Sequence, residues 1–403
     1  MLSPGALVKG RSDVYRVEEK LAEGGMALVW LAESSLSEER VVIKEPKPLP
    51  VAVNRARFEA DVMEKVRHPH VVRLLDRAEE AGTPLLIQEY IEGRSAADLV
   101  AEHGPMHPER VRRVLVQLLL ALDAIHSQNI IHRDVKPRNL MLDRRGEAKL
   151  IDLGTAIYYN ISGVAEIVYS QGGYTAPEQF MGYAFPQSDI WSAMATAFYM
   201  LTGRDPAAVI GFNYVNQPPP RPPDPRLLNP SVPRDLAEAI VRGMQWHVLD
   251  RFGSAREALD FLNGYRRSLQ ATVLEVMGIT VEIDRPRLVF GRIDAVANEK
   301  RRVIVEKTSD IIYVRVYDPY RWISRVHFEI LRLGRGWCIR DLGSTNRTAV
   351  MTKQGLFEIW RGLRVPGPCF PLSERALILV AYGSSLRNPP YLTALFRSPG
   401  PYA

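Results

Sequence analysis

The sequence predicts an α+β region over residues 12–265, followed by an all-β sandwich over residues 280–385. Three observations carry that division. Alternating runs broken by small residues dominate the first ninety or so positions, as in antiparallel strands. A long amphipathic helix opens at Pro108, with Val111, Val114, Leu115, Leu118, Leu119, Leu122 and Ile125 on one face. From Thr272 the pattern changes to short β runs with Gly-bearing turns.

Composition bounds the class. Of 403 residues, 46% are hydrophobic and 24% charged, ordinary for a globular chain with a large core. The most apolar stretch, Trp191 to Leu201, is too short for a membrane span, and Met1 to Gly10 lacks a secretory h-region. A cytoplasmic protein without a membrane partner is expected. Cys338 and Cys369 are too few for a disulfide framework and are read as reduced core residues. Residues 271–403 hold 20 Lys and Arg against 12 Asp and Glu, a net of +8 that leaves −2 for residues 1–270. The C-terminal third should therefore attract anions, a phosphopeptide or a nucleic acid.

Tyr15 to Leu21 alternates, Ala22-Glu23-Gly24-Gly25-Met26-Ala27 breaks, and Leu28 to Leu31 resumes: a hairpin whose small tip lets backbone N–H groups approach a phosphate. Val41-Val42-Ile43-Lys44 is a strand ending in a lysine, and Arg57 to Val66 has helical spacing through Phe58, Val62, Met63 and Val66. Leu85 to Gly93 is a buried strand running into a turn. Ile131-His132-Arg133-Asp134-Val135-Lys136-Pro137-Arg138-Asn139-Leu140 puts a carboxylate, an ammonium and an amide within six residues between apolar stubs. Asp134 can accept a hydroxyl proton, Lys136 can neutralise a transferring phosphoryl group, and the Asn139 carbonyl is hard enough for Mg²⁺. Ala148-Lys149-Leu150-Ile151 then delivers Asp152-Leu153-Gly154.

In this order the motifs resemble those of Ser/Thr protein kinases of the bacterial or archaeal type. The resemblance implies a bilobal fold, with an N-lobe over 12–91 and a C-lobe over 92–265, and ATP with Mg²⁺ (or Mn²⁺). It implies that Lys44 holds the α/β-phosphates and pairs with Glu59, with Asp61 and Glu64 as alternatives. Leu21, Ala22, Gly24 and Val29 would cover the nucleotide, although two expected glycines are Ala22 and Ala27. Backbone groups of Glu89 and Ile91 would face adenine, Gln88 would be a polar gatekeeper, and Met141 is either the adenine floor or a core residue. Asp134 and Lys136 would be catalytic, and Asn139 and Asp152 the metal ligands. The segment from Asp152 to Glu178 resembles an activation segment, with Arg133 as the basic partner of a phosphate on Ser162 or Ser170. Gln171 or Gly172 stands where the family usually has a Thr. Asp189 would bind the catalytic-loop backbone and Arg251 would pair with Glu178. Gln217 to Pro233 reads as an extended proline-rich surface loop.

Beyond a linker over 266–279, Gly291-Arg292, Ser324-Arg325-Val326-His327 and Asp341-Leu342-Gly343-Ser344-Thr345-Asn346 resemble the landmarks of a forkhead-associated (FHA) domain, with residues 386–403 as a tail. That family binds phosphothreonine peptides. By position Arg292, Ser324 and Arg325 would hold phosphate, Asn346 would hold the peptide backbone, and His327 would be a structural hydrogen-bonder. The usual Asn-Gly is Asn346-Arg347, and the interval from Arg292 to Ser324 has room for an extra hairpin. The expected partners are protein substrates and phosphothreonine-containing proteins, with nucleic acid only a minor reading. The expected function is transfer of the ATP γ-phosphoryl group to Ser or Thr hydroxyls, including the chain's own. The alternative is a pseudokinase scaffold acting through phosphopeptide binding.

Overall fold

A computed structural model of the protein describes residues 1–158, 172–210, 222, 224–264, 271–294, 303–334, 336–383 and 390–399. The alternating N-terminal runs form β1 (Leu7–Lys9), β2 (Val14–Glu23), β3 (Ala27–Ser34) and β4 (Arg40–Pro46). Helix α1 (Pro50–Lys65) follows, then β5 (Leu74–Glu80) and β6 (Thr83–Glu89). The six strands make one antiparallel sheet in the order β1-β2-β3-β4-β6-β5. Because β1 belongs to this sheet, the N-lobe begins ahead of residue 12. Helix α1 starts earlier than the apolar period from Phe58 indicated, since Pro50 sits at its first turn, where a missing N–H costs nothing.

The second lobe is helical. Short strand β7 (Gly93–Ser95) leads into α2 (Ala96–His103), α3 (Pro108–Ser127) and β8 (Ile130–Ile131). Strands β9 (Leu140–Asp143), β10 (Ala148–Leu150) and β11 (Ile157–Tyr158) follow. Helices α4 (Pro186–Thr202), α5 (Pro206–Ile210), α6 (Arg234–Gly243) and α7 (Ala255–Leu262) complete it. The expected apolar face of α3 is buried entire, against the almost fully buried α4. Strands β9 and β10 pair antiparallel, Leu140 opposite Leu150, and so set the loop over 132–139 beside the strand that delivers Asp152. Residues 217–221 and 223 of the proline-rich stretch lie outside the described residues; in the remainder Pro225–Leu227 forms a single 3₁₀ turn.

The C-terminal region is a sandwich of two six-stranded sheets. Its strands are β12 (Val273–Val276), β13 (Ile279–Glu282), β14 (Arg287–Ile293), β15 (Val303–Lys307), β16 (Ile311–Tyr317) and β17 (Phe328–Leu333). They continue with β18 (Gly336–Asp341), β19 (Thr348–Thr352), β20 (Gly355–Glu358), β21 (Phe370–Leu372), β22 (Arg375–Val380) and β23 (Leu392–Arg397). One sheet runs β13-β12-β23-β22-β19-β20 and the other β15-β16-β14-β17-β18-β21. Their inner faces meet in one core in which Phe290 stacks on Phe328 with centroids 4.7 Å apart. The interval after Arg292 does hold a hairpin, β15–β16, with β16 lying parallel to β14.

Three expectations are corrected. The supposed linker 266–279 contains β12, and the supposed tail 386–403 contains β23; the two pair antiparallel, Leu274 opposite Phe396, so both ends of the region are built into one sheet. Cys338 and Cys369 form a disulfide, with Cα atoms 5.7 Å apart. Pairing of β18 with β21 brings them together despite 31 residues of separation, a proximity that spacing alone does not reveal.

The sandwich rests on the helical lobe. Phe185, Val248 and Leu249 share an apolar cluster with Ala349, Leu377, Leu379, Tyr382 and Leu395. Lys353 pairs with Asp250 at 2.6 Å, Arg375 Nη2 donates to the Arg251 carbonyl at 3.0 Å, and Asn129 Nδ2 donates to the Tyr391 carbonyl at 3.1 Å. Glu257 is the charged centre: Arg397 approaches it at 3.2 Å, Arg242 pairs with it, and the Gly253 N–H donates to it at 2.7 Å. A Cβ on Gly253 would lie 2.1 Å from Leu395 Cδ2, so glycine is what lets the sandwich close on this turn.

Burial pushes the Glu257 carboxyl up, but Arg397, Arg242 and Arg375 outweigh it and hold the group below its ordinary value of 4.5. A carboxyl depressed in the folded state contributes stability above its unfolded pKa and loses it as pH falls through the folded value. Glu257→Gln is therefore expected to lower the melting temperature at pH 7, with the gap to wild type closing as the pH falls below 4.5. Scanning calorimetry across pH measures this, and a gap independent of pH would contradict it.

Candidate active site and candidate phosphopeptide site

Strand β4 carries Lys44 beneath the hairpin β2–β3, and α1 carries Glu59 towards it. Lys44 Nζ lies 2.8 Å from both oxygens of Glu59 and 2.7 Å from Asp152 Oδ1. Glu59 is only 2% exposed. The alternatives Asp61 and Glu64 instead meet Arg77 on the outer face of α1, at 3.1 and 2.9 Å. Burial alone would lower the Lys44 pKa, yet Asp152 and Glu59 drive it well above the lysine range. Lys44 in turn holds Asp152 far below the usual carboxylate range, while burial pushes Glu59 up. One ammonium thus binds a carboxylate from each lobe. Gly154 was not singled out from sequence, but a Cβ there would lie 3.0 Å from Glu59 Oε2 and 3.2 Å from Asp152 Oδ1.

The catalytic loop is held from below. Asp189, at the start of α4, accepts from the backbone N–H groups of His132 and Arg133, both at 2.8 Å, and contacts His126 Nε2 at 2.8 Å. Arg133 has φ 69° and Asp152 φ 66°, left-handed backbone that a non-glycine residue adopts at a cost of about 1–3 kcal/mol. Fixed side chains on both sides keep this backbone in place. Gln179 Nε2 donates to the Arg133 carbonyl at 3.1 Å, and Thr155 Oγ1 to the His132 carbonyl at 3.0 Å. Within the loop, Lys136 Nζ lies 2.7 Å from Asp134 Oδ2, and Asn139 Nδ2 donates to the same oxygen at 3.0 Å. The Ile151 N–H donates to the Asn139 carbonyl at 2.9 Å, which sets the segment carrying Asp152 beside Asn139. An ionised carboxylate and an amide carbonyl are hard oxygen donors, the set that suits Mg²⁺ or Mn²⁺ shared with phosphates. Leu153 is fully buried, so the apolar swap in Asp-Leu-Gly still anchors the motif in the core.

Around the cleft, Leu21 is 43% exposed at an irregularity in the β2–β3 pairing, and Val29 lies opposite Lys44. Ala22 pairs with Val29, and the Gly24 N–H closes the hairpin on the Ala27 carbonyl at 2.8 Å. Gln88 turns its amide to Met63 Sδ at 3.4 Å. The Glu89 N–H is spent on the Arg73 carbonyl at 3.0 Å and its side chain pairs with Lys149 at 2.8 Å. Of that residue's backbone, only the carbonyl is a candidate adenine contact. Ile91 is partly buried against the core of the second lobe, and Met141 is half-buried on β9. Glu178 and Arg251 form a buried two-point pair, both bonds at 2.8 Å, with the guanidinium 4.9 Å from the Trp191 ring. Arg133 donates through Nε to the Thr155 carbonyl at 2.7 Å. Ser162, Ser170 and Gln171 lie outside the described residues.

In the sandwich, Arg292 is the penultimate residue of β14, while Ser324, Arg325 and Asn346 lie on two adjoining loops. The Arg292 N–H donates to the Ser324 carbonyl at 3.0 Å, and a Cβ on Gly291 would meet the Arg325 carbonyl at 2.0 Å. Glycine is thus what brings the two arginines together. The Thr345 N–H donates to Ser324 Oγ at 3.1 Å, and Asn346 Nδ2 to the Trp322 carbonyl at 2.9 Å. His327 is buried: Nδ1 accepts from the Ser324 N–H at 3.0 Å and Nε2 contacts the Arg347 carbonyl at 3.1 Å. Burial lowers its pKa, and its two contacts fit a neutral ring that donates from Nε2. Arg347 takes φ 69° where glycine is usual; its guanidinium lies 4.5 Å from the Trp360 ring and 3.3 Å from Glu358. Asp294, unnoticed in the sequence, contacts both Arg292 and Arg325. Among the described residues no cluster of three or more His, Cys, Asp or Glu side chains could enclose a metal, and no helix is long and apolar enough to cross a membrane.

These two sites define the class of the chain: a protein kinase domain followed by an FHA domain. Residues 15–214 match the family model of the protein kinase domain, and residues 289–356 match that of the FHA domain. The chain is 29% identical over 265 residues to serine/threonine-protein kinase PrkC of Bacillus subtilis (strain 168), covering 63% of this chain and 40% of that protein. It is 30% identical over 253 residues to serine/threonine-protein kinase PknH of Mycobacterium tuberculosis (strain ATCC 25618 / H37Rv), covering 60% and 40%. It is 27% identical over 261 residues to the probable serine/threonine-protein kinase PknB of Lactococcus lactis subsp. lactis (strain IL1403), covering 62% and 41%. The chain thus spans about two fifths of the length of these curated relatives. All three of these relatives are named serine/threonine-protein kinases.

Gly154→Ala is expected to cost about 1–3 kcal/mol by forcing apart the Glu59 and Asp152 carboxylates. Gly25→Ala, where a Cβ would meet nothing within 4 Å, should leave stability nearly unchanged. Denaturant titration of both variants is the check; equal stability would mean the carboxylates are not crowded around Gly154.

Proposed function

We propose that the chain transfers the γ-phosphoryl group of ATP to Ser and Thr hydroxyls of protein substrates, itself included, and that the FHA domain binds phosphothreonine peptides. The observation that carries the first part is the joint presence of the Lys44–Glu59–Asp152 triad and the Asp134–Lys136–Asn139 cluster. Asp134 orients the acceptor hydroxyl and takes its proton late, as the bond to phosphorus forms. Lys136, already ion-paired to Asp134, sits where charge on the transferring group is neutralised. Lys44, fixed by Glu59, holds the α- and β-phosphates. Asp152 and Asn139 would hold a divalent cation, Mg²⁺ or Mn²⁺, which when bound neutralises phosphate charge. Leu21, Ala22, Gly24 and Val29 cover the nucleotide from above, Met141 closes it from below, and the Glu89 carbonyl and Ile91 backbone face the adenine edge. Arg133 receives the phosphate of an activation-segment mark on Ser162 or Ser170.

Arg292, Ser324, Arg325 and Asn346 form the reader site. The β-sandwich places the two arginines on adjoining strand and loop, and arginine forks suit phosphate. We assign the chain to the cytoplasm, where ATP and phosphoproteins are found.

A second reading, a pseudokinase scaffold, draws on Ala22 and Ala27 and on the Gly24 N–H, which is turned to Ala27 rather than to a phosphate. Retention of every ionised group in the cleft argues against it. Incubation with labelled ATP and Mg²⁺, followed by mass spectrometry, separates the two. Wild type is expected to incorporate phosphate on Ser and Thr, and Asp134→Asn to fall by at least about 10²-fold. Equal incorporation by both proteins would remove the enzyme reading.

A further inference from the structure

We propose that Asp294 is a built-in competitor for the reader site, occupying the two arginines that would take phosphate and excluding ligands that carry only a carboxylate. The proposal rests on the phosphothreonine-reader reading above. Asp294 lies one residue past the end of β14, at a bend that leaves its carboxylate beside Arg292. Asp294 Oδ1 lies 2.8 Å from Arg292 Nη2, and Oδ2 lies 3.0 Å from Arg325 Nε. Each oxygen serves a different arginine, so the carboxylate bridges them. An oxyanion from outside would have to make the same contacts. The Arg292 side chain is 11% exposed, and its buried Nε has no hydrogen-bond partner, so its donors exceed what the bridge uses.

The bridge is displaceable. The Asp294 side chain is 41% exposed and that of Arg325 77%, and ion pairs with such access to water contribute little to stability. A phosphothreonine brings about −1.5 to −2 charges and three acceptor oxygens, enough to satisfy both guanidiniums and Arg292 Nε together. A glutamate or aspartate on a peptide brings one charge and two oxygens, no more than Asp294 already supplies. Asp294 is also tethered within the site, at an effective concentration that a free peptide reaches only at millimolar levels. The internal carboxylate therefore lowers affinity for all anionic peptides and leaves the doubly charged ones as the class that binds. With Asp294 removed, the two arginines lose the carboxylate that pairs with them among the described residues, and the selectivity of the site relaxes.

The test uses the full chain and three fluorescent degenerate heptapeptide pools with phosphothreonine, glutamate or threonine at the centre, read by anisotropy. Asp294→Asn, with Asp294→Ser as a second variant, should bind the phosphothreonine pool about tenfold tighter than wild type. The glutamate pool should gain measurable binding in the variants alone. Thermal melts report that each variant is folded. Equal or weaker phosphothreonine binding by both folded variants overturns the competitor role while the reader reading stands. If no protein prefers phosphothreonine to threonine, the reader reading falls and this proposal with it. Arg292→Ala should abolish binding in either background; retained binding would mean that the peptides occupy another surface and would overturn the proposal.

Discussion

The structure depends on one lysine held between two carboxylates that come from different lobes. Lys44 belongs to the N-terminal sheet, Glu59 to the helix packed on that sheet, and Asp152 to the segment that follows β10 in the second lobe. Buried charges are tolerated only when paired, and removing one partner of such a set is far more costly than never having built it. The triad therefore ties the orientation of α1 and the placement of the Asp-Leu-Gly segment to a single ammonium. It also explains why Gly154 has no side chain, since a methyl group would intrude between the two carboxylates.

The catalytic loop solves a second problem, that of keeping unfavourable backbone in place. Arg133 and Asp152 both have positive φ without being glycine. Asp189 accepts two loop N–H groups and Gln179 donates to a loop carbonyl, which offsets that cost and fixes Asp134. The end of the activation segment is anchored by Glu178 and Arg251, and the Arg251 carbonyl accepts from Arg375 of the sandwich. The FHA domain is thus hydrogen-bonded to the residue that pins that segment. Its apolar contact with Phe185, Val248 and Leu249 makes the two domains one packed body at this face.

Much of this was legible in the sequence because local chemistry dictated it. The face of α3 and the hairpin tip follow from period, whereas the contacts of Asp189 and the pairing of Glu178 with Arg251 were implied by the resemblance to protein kinases and are present in the structure. What was not legible depends on pairing between distant strands. β12 and β23 looked like linker and tail because each is short, and although each has a near partner in β13 or β22, the pairing that builds both ends into one sheet joins residues more than a hundred positions apart. The Cys338–Cys369 bond has the same cause: the pairing of β18 with β21 is invisible to spacing. Asp294 escaped notice because an aspartate just past a strand reads as a turn residue, and only the fold brings Arg325 to it. Gly253 was missed, and Gly154 was legible only as the last residue of its motif, because a glycine required by a neighbour's bulk has no local signature.

The central claim is that the Lys44 ammonium, positioned by Glu59, is a nucleotide-phosphate contact and not merely a structural ion pair. Its most direct test is equilibrium binding of a fluorescent ATP analogue in the presence of Mg²⁺ to wild type, Lys44→Met and Glu59→Gln, with each protein shown to be folded. The account predicts that affinity falls about tenfold or more for Lys44→Met and by a smaller factor for Glu59→Gln. Unchanged affinity in a folded Lys44→Met protein would contradict it.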